Sequence, residues 1–244
     1  MTVLLRTENL VRRFGGITAV NNCSIEVKKG SITGLIGPNG SGKTTLFNLI
    51  TNVYRPDSGQ VYLDQQNITG LRPNQLCHQG LSRTFQITRL FWDLSVLENM
   101  IVPVRQVGFR SLFGPGMFQY EEERALELLK RVGLDHMRAQ PARKLSFGQQ
   151  KLLEFAAILM SKPELVLLDE PAGGVNLTMI RFIINLIRSL NQAGVTFLVV
   201  EHNMNFVMEL CDHIIVMNQG EKIAEGPPST IQSDPVVLDA YLGD

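Results

Sequence analysis

One eight-residue segment, Gly37 to Thr44, limits what this chain can fold into more than any other feature of its sequence. It reads Gly-Pro-Asn-Gly-Ser-Gly-Lys-Thr and matches the pattern G-x-x-x-x-G-K-[ST]. The mostly apolar segment Ser31 to Ile36 precedes it, and a predicted helix, Thr45 to Thr51, follows it. A strand that leads into such a loop and then into a helix indicates an α/β fold that binds phosphate groups at the loop.

The residue types in this phosphate loop suit a nucleoside triphosphate. Glycines let successive backbone N–H groups face the phosphates, and the amino end of the helix adds its positive dipole. Lys43 can reach the outer phosphates, and the Thr44 hydroxyl can bind Mg²⁺. The guanine-reading tetrapeptide Asn-Lys-x-Asp is absent from the sequence, which favours ATP. The expected nucleotide contacts are Gly37, Pro38, Asn39, Gly40, Ser41, Gly42, Lys43, Thr44 and Thr45.

Composition excludes several other classes of protein. The 244 residues carry 23 Lys and Arg against 23 Asp and Glu, so no net charge holds a nucleic acid by counterion release. The longest uninterrupted apolar run, Phe155 to Met160, is far shorter than the ~20 residues of a membrane-spanning helix. No export signal is visible at the amino end, and the three cysteines form no Cys-x-x-Cys pair. We therefore expect a protein of the reducing cytoplasm with no nucleic-acid partner.

Strand patterns occur on both sides of a helical middle region. Mixed apolar and polar positions, typical of half-buried strands, occur at Val3 to Val11, Cys23 to Val27 and Gln60 to Asp64. Short apolar runs, typical of strands buried in a parallel sheet, occur at Leu165 to Leu168, Val195 to Val200 and Ile214 to Met217. The last run continues through a turn into Glu221 to Ala224, which predicts a hairpin.

The region between Phe91 and Met160 has helical periodicity. Tyr120 to Val132 begins with acids, ends with bases and is followed by glycine, which predicts a helix. The preceding segment, Gly108 to Phe118, contains three phenylalanines among glycines and Pro115. This composition disfavours regular structure there and is typical either of a mobile loop or of a surface that docks a partner.

Two acids follow the predicted strand Leu165 to Leu168. A carboxylate at the carboxyl end of a buried parallel strand beside a phosphate loop can bind Mg²⁺, directly or through water, and we expect this of Asp169. Glu170 can orient or deprotonate the attacking water. Acids after a strand can also be plain helix caps, so these assignments depend on the phosphate loop.

A second helix start lies at Leu145 to Gln149. Ser146 followed three positions later by Gln149 is a capping box that opens the predicted helix Lys151 to Met160. A capping box alone is a stable helix start, but this amino end can also present N–H groups to an anion. The chain then has two helix amino ends that can bind phosphate, and one nucleotide would have to reach both.

Three motifs together resemble those of the ATP-binding cassette (ABC) ATPases. Gly37 to Thr44, Leu145 to Gln149 and Leu165 to Glu170 are similar to their Walker A, signature and Walker B motifs. Phe147 departs from the common signature Leu-Ser-Gly-Gly-Gln. The resemblance implies that two cassettes pack head to tail, so that the signature helix of one closes over the ATP of the other. The implied anion contacts of that helix are Ser146, Gly148 and Gln149.

The resemblance spans nearly the whole chain and implies its architecture. The implied fold class is α/β: a P-loop NTPase core with a mostly parallel sheet, an antiparallel β subdomain and an α-helical subdomain. It implies one ABC ATPase domain over residues 1–244. The core and β subdomain would occupy about 1–86 and 161–244, and the helical subdomain with the signature motif would occupy about 87–160.

Four further positions correspond to residues of the family. Phe14 resembles the aromatic that stacks on adenine, unless it is a core residue at a strand end. Gln86 resembles the Q-loop glutamine that senses Mg²⁺ and the attacking water, unless it is a surface glutamine. His202 resembles the switch histidine that contacts the γ-phosphate, unless it is an ordinary histidine at a strand end. Asn176 stands where most cassettes carry the D-loop aspartate, which leaves its role open.

Shorter motifs resemble the branch of bacterial cassettes that serves branched-chain amino acid uptake. They are Leu145 to Gln150, Pro171 to Asn176, Glu201 to Met204, Ile223 to Gly226 and Ala240 to Gly243. A urea or amide importer of the same branch can share them. The resemblance implies an ATP-hydrolysing importer subunit, peripheral on the cytoplasmic face of the membrane. Its implied partners are a second ABC ATPase subunit, which is a related chain or a copy, the membrane permease subunits and, indirectly, an extracytoplasmic solute-binding protein.

The family receives its membrane partner in a groove near Gln86 to Met100. Phe91, Trp92 and Leu94 can supply apolar contacts there, although each can instead pack in the core. A soluble cassette that acts on DNA or ribosomes is an alternative, but the chain lacks the long coiled coil or second cassette typical of such proteins. A regulator without turnover is disfavoured by Glu170 and His202.

Overall fold

The chain folds around two β-sheets, as a computed structural model shows for residues 2–84, 90–102 and 116–242. The strands are β1 (Val3–Phe14), β2 (Ile17–Cys23), β3 (Glu26–Lys28), β4 (Ile32–Ile36), β5 (Ser58–Leu63), β6 (Gln66–Asn67), β7 (Leu81–Arg83), β8 (Leu165–Asp169), β9 (Thr196–Val200), β10 (His213–Asn218) and β11 (Glu221–Gly226). The α-helices are α1 (Lys43–Ile50), α2 (Pro73–His78), α3 (Val96–Ile101), α4 (Gly116–Arg131), α5 (Phe147–Leu159), α6 (Leu177–Gln192), α7 (Met204–Leu210), α8 (Pro228–Ile231) and α9 (Pro235–Leu242).

The larger sheet has the strand order β11-β10-β4-β9-β8-β7. Its strands are parallel except β11, which forms the predicted hairpin with β10. Every residue of β4, β8 and β9 is buried, which explains why these strands are apolar on both faces. Because the strands are parallel, the loops after β4, β8 and β9 emerge at one edge of the sheet, where ligands of such folds bind.

The smaller sheet is antiparallel and is built on β1, which pairs with β2, β3 and β5. The predicted single strand from Cys23 to Val27 is wrong, because β2 ends at Cys23 and β3 begins at Glu26. The Thr7 side chain explains the break. Its hydroxyl donates to Cys23 O and accepts from Ile25 N, so at this point a side chain of β1 takes the place of backbone hydrogen bonds from β1. Asn22, with φ of +48°, turns the chain just before this point.

Helix α1 lies between the two sheets and joins them. Its buried residues pack with side chains of both sheets in one apolar cluster; these helix residues are Leu46, Phe47, Leu49 and Ile50. The opposite face of the larger sheet is covered by residues of α3, α4, α5, α6 and α7 in a second cluster. The phosphate loop thus stands between the parallel sheet and the antiparallel sheet.

Two helices extend beyond the predicted bounds. Helix α4 begins at Gly116, directly after Pro115, so the prediction of irregular structure is wrong for residues 116–118. No proline or glycine interrupts the sequence from 117 to 132, which permits the longer helix. Residues 108–115 of that segment lie outside the described residues. Helix α5 begins at Phe147 with Ser146 as its N-cap, and the predicted capping box is present.

Candidate functional site

A cleft opens at the carboxyl edge of the larger sheet. Residues 39–45 form one wall, and Glu170 and residues 200–202 form the other. Ala19 of β2 contributes from the antiparallel sheet. The structure therefore brings most of the predicted phosphate loop, the second acid after β8 and the histidine after β9 into one site.

Glycine is required at two positions of the loop. Gly37 has φ of +148°, and a Cβ there would lie 2.0 Å from the carbonyl oxygen of Met217. Gly42 has φ of +99°, and a Cβ there would lie 2.3 Å from the carbonyl oxygen of Ala19. Since β2 and β10 press directly on the loop, no other residue fits at these two positions without moving the backbone.

Lys43 is held across the base of the loop. Its Nζ donates to Gly37 O at 2.7 Å and to Pro38 O at 2.8 Å, and lies 3.2 Å from Ser41 Oγ. Burial lowers the pKa of Lys43, and the charge of Glu170 partly opposes this effect. The ammonium group therefore lies at the loop, beside the first turn of α1, where phosphate oxygens would bring negative charge.

Glu170 has an unusual backbone conformation at the end of β8. Its φ is +49°, a region that non-glycine residues seldom occupy. Its N–H donates to Val200 O at 2.9 Å, which fixes it to β9. Its carboxylate Oε1 lies 3.7 Å from Nδ1 of His202, and the two side chains are 29% and 63% exposed, respectively. The pair is thus assembled and open to the cleft.

Glu201 anchors His202 and was missed by the sequence reasoning. It is completely buried, and its carboxylate accepts hydrogen bonds from the backbone N–H groups of Ala172 at 2.6 Å, His202 at 3.1 Å and Asn203 at 3.2 Å. A charge without solvent contact needs such partners. Glu201 therefore joins the loop after β8 to the loop after β9. An acid at the end of the apolar strand Val195 to Val200 was the signal for it.

Asp169 is buried and is not among the residues that line the cleft. Its Oδ2 forms an ion pair with Nη2 of Arg83 at 2.7 Å, and Nη1 of Arg83 donates to Asn48 Oδ1 at 2.6 Å and to Thr51 Oγ1 at 3.0 Å. Arg83 was not anticipated from the sequence. The Thr44 hydroxyl and the Asp169 carboxylate are the hard oxygen donors that Mg²⁺ takes in small number beside phosphate and water, so the donor types fit this ion.

The signature residues lie at the amino end of α5, away from the cleft. Ser146 N donates to Gln149 Oε1 at 2.9 Å, and Gln149 N donates to Ser146 Oγ at 3.4 Å, so both side chains cap the helix. Within the described part of the chain, Ser146, Gly148 and Gln149 do not line the cleft of the same chain. Their predicted contact with a nucleotide thus requires another chain and stays a prediction.

The remaining predicted site residues differ in their placement. Phe14 is 40% exposed and stacks edge-on against Tyr54 at 5.3 Å, so the alternative of a core residue is wrong, whereas its adenine contact stays a prediction. Gln86 lies outside the described residues. Phe91 and Trp92 are 51% and 45% exposed, so core packing is wrong for both, whereas Leu94 is half-buried.

Together the parallel sheet, the glycine loop and the paired Glu170 and His202 define a nucleotide-binding ATPase of the cassette type. The chain belongs to the ABC transporter family, whose pattern it matches over residues 20–173. Residues 221–244 match the branched-chain amino acid ATP-binding cassette transporter pattern. The predicted family and the predicted fold class are therefore confirmed.

Individual proteins extend this similarity over the whole chain. A protein of Archaeoglobus fulgidus described as a probable branched-chain amino acid transport ATP-binding protein LivG is 40% identical over an alignment 245 residues long, which covers 98% of this chain and 95% of that protein. The ADP conformation of MJ1267, an ATP-binding cassette of an ABC transporter, is 37% identical with a TM-score of 0.88, and each chain is covered completely. The cassette MJ0796, a dimer bound to ADP and Pi, is 28% identical with a TM-score of 0.80, over 92% of this chain and 99% of that chain.

The described residues contain no helix long and apolar enough to cross a membrane.

Proposed function

We propose that this chain is the ATP-hydrolysing subunit of an importer for branched-chain amino acids. The observation that carries the proposal is the cleft in which Lys43, Glu170 and His202 meet at one edge of the sheet. The choice of cargo rests on near full-length similarity to proteins described as branched-chain amino acid transport ATP-binding proteins. A urea or amide importer of the same branch is the alternative.

In the proposed reaction the phosphate loop holds ATP and Glu170 activates water. The water oxygen attacks the γ-phosphorus, the bond from that phosphorus to the β–γ bridging oxygen breaks, and ADP leaves. Glu170 orients the water and takes its proton, and His202, beside Glu170, contacts the γ-phosphate. Lys43 and the amides of the loop balance the charge of the phosphates. Phosphoryl transfer depends mainly on positioning and charge compensation. A displacement of these groups by about 1 Å should therefore lower the rate of hydrolysis.

The site residues suit Mg²⁺ as the metal that accompanies ATP. Thr44, Asp169 and Gln86 are the proposed ligands, and the ion would neutralise charge on the outer phosphates. Arg83 fixes the direction of the Asp169 carboxylate. Phe14 at the chain surface is the proposed adenine contact.

A second cassette completes each site in this proposal. The amino end of α5, with Ser146 and Gly148, is exposed or half-buried and is not part of the cleft of its own chain. Two chains packed head to tail would place this end against the γ-phosphate on the other. The cassette MJ0796 is a dimer bound to ADP and Pi, which supports the pairing of two cassettes. The second subunit is a related chain or a copy of this one.

The proposed partners also include membrane permease subunits, and indirectly a solute-binding protein, with this chain peripheral on the cytoplasmic face. A groove lined by Val53, Leu76, Leu90, Phe91 and Ala157 lies between the core and the helical part of the chain. Trp92 is exposed beside Phe91.

We also propose that the single domain divides into a core with β subdomain (about 1–86 and 161–244) and a helical subdomain (about 87–160).

Phosphate release by the complex assembled with its permease tests the function. Glu170→Gln should lower the rate at least a hundredfold while the chain still binds ATP, because the base is lost but the phosphate loop is intact. Equal rates in the two complexes would contradict the assignment of Glu170.

A second experiment tests the proposed permease contact at Trp92. Trp92→Ala should reduce the yield of assembled complex without changing ATP binding, and an unchanged yield would reject this contact.

A further inference from the structure

Lys151 of helix α5 reaches the loop that begins at Glu170. Its Nζ donates to the carbonyl oxygen of Glu170 at 2.9 Å and to that of Gly173 at 2.7 Å. Gly173 N in turn donates to Glu170 O at 3.1 Å, which closes a tight turn. The ammonium group therefore holds both ends of the turn that follows the proposed base.

This turn starts from an unfavourable backbone conformation. Glu170 has φ of +49°, which costs free energy in any residue with a Cβ and persists only where surrounding contacts impose it. The hydrogen bond from Glu170 N to Val200 O fixes one side of the residue. Lys151 fixes the other side, because it binds the carbonyl group that the left-handed conformation turns toward α5.

The Phe147 ring also limits the position of the Lys151 side chain. The ammonium of Lys151 lies 5.3 Å from the ring centroid of Phe147, which favours a cation over an aromatic face. Phe147 packs against Gly174, where an added Cβ would lie 2.9 Å from Cε1 of the ring. Lys151 and Phe147, which lie one turn apart on α5, thus contact the loop at residues 170, 173 and 174.

Burial and nearby charges act on the pKa of Lys151 in opposite directions. Burial lowers the pKa of Lys151, and the negative charges of Glu201, Glu154, Glu170 and Asp169 oppose this effect. A charged donor makes a stronger hydrogen bond to a carbonyl group than a neutral one does. The two carbonyl groups therefore bind a cation that these four carboxylates also attract.

We propose that Lys151 is a positioning residue for hydrolysis: it holds the backbone of Glu170 in the left-handed conformation that aims the carboxylate at the attacking water. The proposal rests on the proposed function of Glu170. Among the described residues that line the cleft of the phosphate loop, Lys151 is not included. Its loss should therefore slow the chemical step and leave ATP binding intact.

The test compares Lys151→Met and Lys151→Arg in the assembled complex. The methionine variant should lower kcat at least tenfold and change the KM for ATP and the Kd of the isolated chain by less than twofold. The arginine variant keeps the charge and donors and should recover at least a third of the lost rate. Lys162→Met is the matched control, because Lys162 also lies 5.3 Å from an aromatic ring, that of Tyr120, but on the surface away from the cleft.

A double substitution separates positioning of Glu170 from general stabilisation. In a Glu170→Gln background, Lys151→Met should lower the residual rate by less than twofold, because the group that Lys151 positions is already absent. The same tenfold loss in both backgrounds, a weakened ATP affinity, or an equal effect of Lys162→Met would overturn the proposal. If the wild-type rate does not depend on Glu170, the proposed function fails instead.

A structural readout tests the positioning without hydrolysis. A crystal structure of the Lys151→Met chain should show residue 170 outside the region of positive φ, with its carbonyl group turned away from α5. Retention of the left-handed conformation in that variant would overturn the proposal whatever the rates. Should the methionine variant not fold, Lys151→Gln, which retains one donor group, replaces it in both experiments with the same expected direction.

Discussion

Arg83 and Asp169 form an ion pair of 2.7 Å in which the side chains are only 8% and 3% exposed. The pair joins the outermost strand of the parallel sheet, β7, to the strand that ends at the site, β8. Arg83 is further fixed by Asn48 and Thr51 near the end of α1. The carboxylate proposed to bind Mg²⁺ is therefore oriented by the protein itself.

Replacing Arg83 by methionine should destabilise the fold strongly. The substitution leaves the Asp169 carboxylate buried without its cation, which typically costs about 3–5 kcal/mol. Urea unfolding of Arg83→Met measures this loss. Arg83→Met combined with Asp169→Asn should lose less than Arg83→Met alone, because no buried charge remains unpaired.

An exposed pair provides the control for this measurement. Arg188 lies 4.0 Å from Glu209, with side chains 44% and 54% exposed, so Arg188→Met should cost at most ~1 kcal/mol. Equal losses for Arg83→Met and Arg188→Met would show that the buried pair has no special role.

Asn176 should act first as a helix cap. Its side-chain oxygen accepts a hydrogen bond from Met179 N at 2.9 Å at the start of α6. Asn176→Ala should lower the free energy of unfolding by about 1 kcal/mol, whereas Asn176→Asp should change it by only a few tenths, since aspartate caps equally well. Thermal or urea unfolding distinguishes the two variants, and equal losses in both would reject the capping role.

The three cysteines should differ in reactivity. Cys77 is exposed, whereas Cys23 and Cys211 are buried. Burial raises the pKa of Cys23 to about 11 and that of Cys211 to about 12, so both remain protonated thiols at pH 8. A thiol reagent should therefore modify one cysteine rapidly in the native chain and three in denaturant. With Cys77→Ser the rapid reaction should disappear, and its persistence would contradict the burial of the other two.

The same thiols predict how stability depends on pH. The folded state holds these protons more tightly than the unfolded chain, whose thiols titrate near 9.0. Their contribution to stability is thus complete below about pH 9 and is lost as pH rises through about 11 and 12. Cys211→Ala should weaken this alkaline loss in urea unfolding experiments between pH 8 and pH 11.

Local patterns predicted the parts of the site that lie within one strand-loop-helix unit. The phosphate loop, the capping box of α5 and the apolar strands β8 and β9 were predictable, because the glycine spacing, the Ser146–Gln149 pair and the apolar runs each report local geometry. Arg83 and Lys151 were not predictable in this way. Their partners are 86 and 19 residues distant in sequence, and only the packing of β7 and α5 against β8 brings them together.

Strand ends in the antiparallel sheet were also beyond local patterns. The break between β2 and β3 depends on the hydroxyl of Thr7, which lies on a third strand. The surface position of Trp92 likewise depends on how the chain before α3 meets the core, since an aromatic side chain suits a core as well as an interface.

In the proposed function Ser146 serves the nucleotide of a neighbouring cassette, and each site is incomplete without this contact. Substitution by arginine tests it, with ATP affinity measured on the isolated chain and phosphate release on the assembled complex. The claim predicts a Kd within twofold of the wild-type value and a loss of phosphate release of at least a hundredfold. A Kd for ATP raised more than twofold in the isolated Ser146→Arg chain would contradict the claim. So would a wild-type rate of phosphate release by the complex that contains this variant.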